Sequence, residues 1–150
     1  DAMKAITTQQ TGKLAEFLVF GELVRNGADL YLPVIDTGID AIVRQKDGTY
    51  KEIQVKSTEK GWSFHVWFSD KCEEERLKSF FIVCVDMSKQ PPETWIFPSK
   101  TFKEYATKVK RLEGYTKYRL DLSEKDTKHG NETRSILLKD YKGAWHRLTE

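Results

Sequence analysis

Between Thr8 and Asn26 the apolar positions crowd together: Leu14, Phe17, Leu18, Val19, Phe20, Leu23 and Val24. Such a pattern predicts a helix covered on most of its sides, and Asn26-Gly27 supplies its C-terminal stop. At about 100° per residue, Glu16 falls between the directions of Phe20 and Leu23, with Gly12 one turn before it. A carboxylate there is either costly to bury or paired with something.

Further along, a period of two takes over and predicts strands at Asp29–Val34, Ile39–Arg44, Thr49–Ser57 and Trp62–Phe68. A short helix is expected over Asp70–Ser79, a buried strand over Phe80–Val85 and a short strand over Trp95–Pro98. Ser99 is read as the cap of a basic helix running to about Lys110, and Tyr115–Leu122 as an edge strand. The last helix, roughly Thr133–Leu148, carries Leu137, Leu138, Tyr141, Trp145 and Leu148 at helical spacing, a stripe that fits core packing better than a base-stacking platform. No repeat, low-complexity linker or Pro/Gly-rich break interrupts the 150 residues, which read as one domain, 1–150.

One connection fixes a register. Lys46-Asp47-Gly48 fits a three-residue hairpin loop with Gly48 in the left-handed position. Gln45 then faces Thr49, and Asp40 faces Gln54. Because side chains alternate, Asp40, Glu52, Gln54 and Lys56 share one face, while Ala41, Val43, Ile53 and Val55 supply core on the other. A two-residue turn would shift the register by one residue and break this grouping. A hard divalent cation such as Mg²⁺ takes oxygen ligands, typically one or two carboxylates plus waters and substrate phosphate. Asp40, the Gln54 side-chain oxygen and the Val55 main-chain carbonyl are candidate ligands. Lys56 is placed to orient an attacking water and to offset charge on a phosphate. Glu16, reaching the same spot from the first helix, would hold a water of the ion's shell or a second ion. An ordinary polar sheet face, with Asp40 and Lys56 as a diagonal pair, fits the spacing equally well.

Net charge is only +2, but it is unevenly spread: residues 1–75 carry 9 Lys/Arg against 13 Asp/Glu, and residues 76–150 carry 16 against 10. The basic excess gathers at Lys100, Lys103, Lys108, Lys110, Arg111, Lys117 and Arg119, faced only by Glu104 and Glu113. That stretch is either a solvated face or an anion-binding surface. Cys72 and Cys84 form no CxxC pair, no apolar run reaches the ~18 residues of a membrane span, and the N-terminus is polar. A cytoplasmic protein with free thiols is expected. Thr11-Gly12-Lys13 lacks the earlier glycine of a phosphate loop, and His65, His129 and His146 are isolated, without metal-ligand spacing.

Glu16 in TGKLAE, then Gly38-Ile39-Asp40, then Gln54-Val55-Lys56-Ser57 together resemble the PD-(D/E)XK nuclease superfamily, in layout its archaeal Holliday-junction resolvase-like branch. Glu16, Asp40, Gln54 and Lys56 match the family's catalytic positions, over roughly Thr11–Thr58. The resemblance implies an α/β fold with a restriction-endonuclease-like core, a central mixed β-sheet flanked by helices. It also implies phosphodiester hydrolysis with Mg²⁺ or Mn²⁺, DNA (duplex or branched) as partner, and a homodimer. On this reading Lys100, Lys103, Lys108, Lys110 and Arg111 track the DNA backbone. Gln54 stands where the family has Glu or Asp, as in a homing endonuclease variant of the same superfamily. Glu52, two residues away (about 7 Å by strand rise), is a candidate for replacing the missing charge. Asp36 is a competing carboxylate, and the Pro of the literal Pro-Asp pair is absent. The alternatives are a nucleic-acid-binding module of this fold that has lost cutting, and a protein-interaction domain whose basic stretch is merely solvated.

Overall fold

A computed structural model describes residues 5–60, 63–72, 74–122 and 138–150. The first helix, α1 (Thr8–Arg25), opens on a capping box: the Gln10 N–H donates to the Thr7 hydroxyl at 3.1 Å, and the Thr7 N–H donates to Gln10 Oε1 at 2.8 Å. It closes where Gly27 takes a left-handed φ of 84°, with Gly27 N–H donating to Val24 O and Ala28 N–H to Leu23 O. That is the Schellman arrangement the Asn-Gly pair signals.

Five strands form the main sheet in the order β1 (Asp29–Tyr31), β2 (Ala41–Arg44), β3 (Tyr50–Thr58), β5 (Phe80–Asp86), β6 (Glu93–Pro98). Only β3 and β5 run parallel, so the sheet is mixed. The crossover between them contains β4 (Ser63–Ser69) and α2 (Glu74–Ser79). Every residue of β5 is buried, as a strand covered on both faces must be. A second sheet orders β4, β8 (Tyr115–Asp121) and β7 (Thr107–Leu112), all antiparallel. On one face of the main sheet, Ala15, Val19 and Leu23 of α1 pack with Ala41, Val43, Ile53, Phe81, Val83 and Val85. On the other, Phe80, Ile82 and Cys84 meet Phe64, Val66, Phe68, Tyr118 and Leu120 from the second sheet, with Phe102 of α3 (Ser99–Tyr105). The layers therefore run helix, mixed sheet, antiparallel sheet.

Several sequence expectations change. The basic helix stops at Tyr105, and Thr107–Leu112 is a strand instead. β-branched Thr107 and Val109 favour that, and pairing with β8 completes it. Ser99 is not a cap; its hydroxyl donates to Leu77 O at 2.8 Å from inside the helix. The strand at Tyr115 lies between β4 and β7, not at an edge. Helix α4 covers only His146–Thr149, and the expected start of that helix at Thr133–Leu137 lies outside the described residues, as do Trp62 and Glu73. Nor is α1 covered on most sides: Phe17 is 61% exposed and Val24 60%. The sheet takes only the row Thr11, Ala15, Val19, Leu23, spaced four apart. Among the described residues no helix is long and apolar enough to cross a membrane.

Candidate active site

The hairpin has the predicted register. Gln45 N–H donates to Thr49 O at 2.7 Å, Gly48 has φ 86°, and Ala41 lies opposite Ile53. Just before β2, Asp40 N–H donates to Ile53 O at 2.9 Å. The Val55 N–H returns a bond to Asp40 Oδ2 at 2.6 Å, which fixes the carboxylate against β3. Val43 and Ile53 are buried, while Glu52, Gln54 and Lys56 line the opposite, half-open face.

Glu16 comes close enough to this point from α1 for its carboxylate to act on Asp40. Burial pushes the Asp40 carboxyl up to about 6; the Val55 N–H opposes this, Glu16 adds to it by charge and hydrogen bond, and Lys56 opposes it last. Two carboxyl groups brought this near one another favour a cation beside them. Lys13 takes part of that role, with its ammonium 3.2 Å from Glu16. The structure thus brings Glu16, Asp40 and Lys56 within mutual electrostatic range, and Gln54 closes the other side, where a Cβ on Gly38 would lie 3.9 Å from its Nε2.

The two other candidate carboxylates, Asp36 and Glu52, are engaged elsewhere. Asp36 accepts the Gly38 N–H at 3.0 Å and serves its own loop. Glu52 pairs with Arg76 at 3.4 Å, so its charge is already compensated on the side away from Asp40. Among the described residues no three His, Cys, Asp or Glu side chains gather at one point. A cation here would rely on Asp40 and Glu16, the Gln54 amide oxygen and a main-chain carbonyl such as that of Val55. All are hard oxygen donors, and the set suits Mg²⁺ or Mn²⁺. Cys84, opposite Lys56 on β5, is buried, and burial pushes its thiol well up, away from nucleophilic chemistry.

The basic residues are distributed differently from the sequence expectation. Lys100 and Lys103 are on α3, and the Lys103 ammonium sits 5.4 Å from the ring centres of Phe68 and Tyr118. On β7, Lys110 pairs with Lys117 and so points to the outer face of the second sheet. Lys108 lies opposite Tyr118 and Arg111 opposite Thr116, on the inner side, where Arg111 is 3.7 Å from Asp70. Lys100, Lys103, Lys108, Lys110 and Arg111 are therefore not one surface. Sequence reasoning set His65 aside as isolated and gave Trp67 no role; both stand on the outer face beside Lys117 and Arg119. Their only signal was the alternation of SFHVWFS, whose partner strand lies some 50 residues later.

The architecture is a mixed sheet with flanking helices, with Asp40 just before β2 and Gln54 and Lys56 on the neighbouring β3. Two solved structures are similar to the chain. A bacterial homing endonuclease, I-Ssp6803I, superposes with a TM-score of 0.60 at 18% identity, over 94% of this chain and 92% of that one. Hjc, a Holliday junction resolvase from Archaeoglobus fulgidus, gives a TM-score of 0.46 at 13% identity, over 74% of this chain and 84% of that one. No family profile and no curated protein matches the chain.

Proposed function

We propose that the protein is a divalent-metal-dependent endonuclease that hydrolyses DNA phosphodiester bonds. The observation that carries this reading is the Glu16–Asp40 carboxyl pair, held by the Val55 N–H and faced by Lys56, on a fold shared with a bacterial homing endonuclease. Asp40, Glu16, Gln54 and the Val55 carbonyl would hold Mg²⁺ or Mn²⁺. Bound there, the ion would act as a Lewis acid on the scissile phosphate and lower the pKa of a water. Lys56 orients the attacking water and balances charge that builds on the phosphate. Asp40 is fixed by two main-chain bonds before substrate arrives, so no reorganisation is needed at the moment of reaction.

Gln54 carries no charge, which makes the site a weak binder in the free protein. Titration calorimetry with Mn²⁺ tests this: Gln54→Glu is expected to tighten binding, and Asp40→Ala to abolish it. No uptake by either the wild type or the Gln54→Glu protein, with and without DNA, would remove the metal from the account. The apolar stripe on α1 supports a homodimer, since Leu14, Phe17, Gly21 and Val24 form an uncharged exposed row at helical spacing.

A further inference from the structure

We propose that the outer face of the β4–β8–β7 sheet binds single-stranded nucleic acid, with Trp67 as the stacking residue, so that the substrate presents unpaired nucleotides next to the cleavage centre. This rests on the DNA-nuclease reading above. The register places His65, Arg119 and Thr107 in one cross-strand row, and Trp67, Lys117 and Lys110 in the next. Their inward neighbours Phe64, Val66, Phe68, Tyr118 and Leu120 are all core, so the face is held rigidly by packing beneath it. Trp67 keeps 39% of its surface open, and the Lys117 ammonium lies 5.7 Å from its ring centre. A core indole would be covered; this one is displayed between cations. Asp121, the acid at the end of the face, accepts from the Ser63 hydroxyl at 2.5 Å and pairs with Arg119 at 3.4 Å. Lys110 and Lys117 are left to meet a polyanion.

The face lies next to β3, which β4 follows in the chain and touches. Partial burial first, then the charges of Lys117 and Arg119 and last that of Lys56, hold the His65 imidazole below the usual range against Asp121. A strand of nucleic acid leaving Lys56 would cross His65, then Trp67 with Lys117, then Lys110. Duplex DNA suits this face poorly. Its major groove is about 12 Å wide and admits a helix or a two-stranded ribbon, whereas three strands about 4.8 Å apart, with their side chains, overfill it. Unpaired bases can stack on an exposed indole while their phosphates meet flanking lysines.

The test is fluorescence-anisotropy binding with the full chain in EDTA, where no cleavage can occur. The probes are a labelled oligodeoxythymidine of about 12 nucleotides and a blunt duplex of about the same length. Trp67→Ala is expected to lose about ten-fold or more on the oligodeoxythymidine and little on the duplex, and Trp67→Phe to keep most of the affinity. Lys110→Ala should weaken oligodeoxythymidine binding and flatten its salt dependence. Unchanged oligodeoxythymidine affinity in Trp67→Ala, or an equal loss on both probes, overturns the proposal while leaving the nuclease reading intact. Trp67-dependent binding by a protein that cleaves nothing with Mg²⁺ or Mn²⁺ would uphold the surface and remove the nuclease reading instead.

Discussion

Asp40 and Lys56 separate two kinds of contribution that a single carboxylate–lysine pair could blur. On the proposed mechanism Lys56 balances charge that develops on a phosphate, so Lys56→Ala should retain most DNA affinity while losing about 10²–10³ in cleavage rate. Equal loss of affinity and rate would make it a simple phosphate-binding lysine. Asp40 contributes a pH signature in the metal-free protein. Its folded carboxyl is raised to about 6 from an ordinary 3.8, so the native chain holds that proton more tightly than the unfolded chain. Below pH 3.8 both states are protonated and the group has no effect on stability. Between 3.8 and about 6 the unfolded chain has lost the proton while the native carboxyl keeps it, so stability falls across that window and stays lower above it, relative to a neutral side chain. Asp40→Asn, whose amide oxygen can still accept the Val55 N–H, is therefore expected to raise the melting temperature in EDTA at pH 8 and to change it little at pH 4. Thermal unfolding at both pH values decides this, and a shift independent of pH would show that ionising the buried Asp40 carboxyl is not what sets the cost.

At the scale of elements, α1 has two faces with different roles. Its buried row holds the main sheet, and its open row of Leu14, Phe17, Gly21 and Val24 meets nothing among the described residues. Phe17→Glu should leave the fold intact and shift the protein from dimer to monomer, read by light scattering. A wild-type monomer, or a dimer unaffected by the change, would place any self-association elsewhere. Local signals explain which elements the sequence revealed. Thr7 to Gln10, Asn26-Gly27 and Lys46-Asp47-Gly48 each act within a few residues, and they specified the ends of α1 and the register that sets Asp40 opposite Gln54. The second sheet depends on pairing between β4 and β8, far apart in the chain, and nothing local encodes that register. The basic run therefore read as a helix through Lys110, although its second half is a strand whose alternate residues face opposite ways. The open face of α1 was equally illegible, because apolar residues do not state whether the partner that covers them is the same chain or another.

Across the whole molecule, Glu16 on α1 and Lys56 on β3 both act on Asp40 before β2, and the proposed path for the substrate continues over the outer face of the second sheet. The acid–lysine centre draws its residues from α1 and the main sheet. The central claim is that this centre cuts DNA with a divalent cation. It is tested most directly by incubating supercoiled plasmid, linear duplex and branched DNA with the wild-type, Asp40→Ala and Lys56→Ala proteins, in Mg²⁺, in Mn²⁺ and in EDTA. The account predicts nicked or shortened products from the wild type with either metal, none in EDTA, and strongly reduced cleavage by both variants. Wild-type protein that cuts none of these substrates, or Asp40→Ala protein that cuts as well as the wild type, would contradict it.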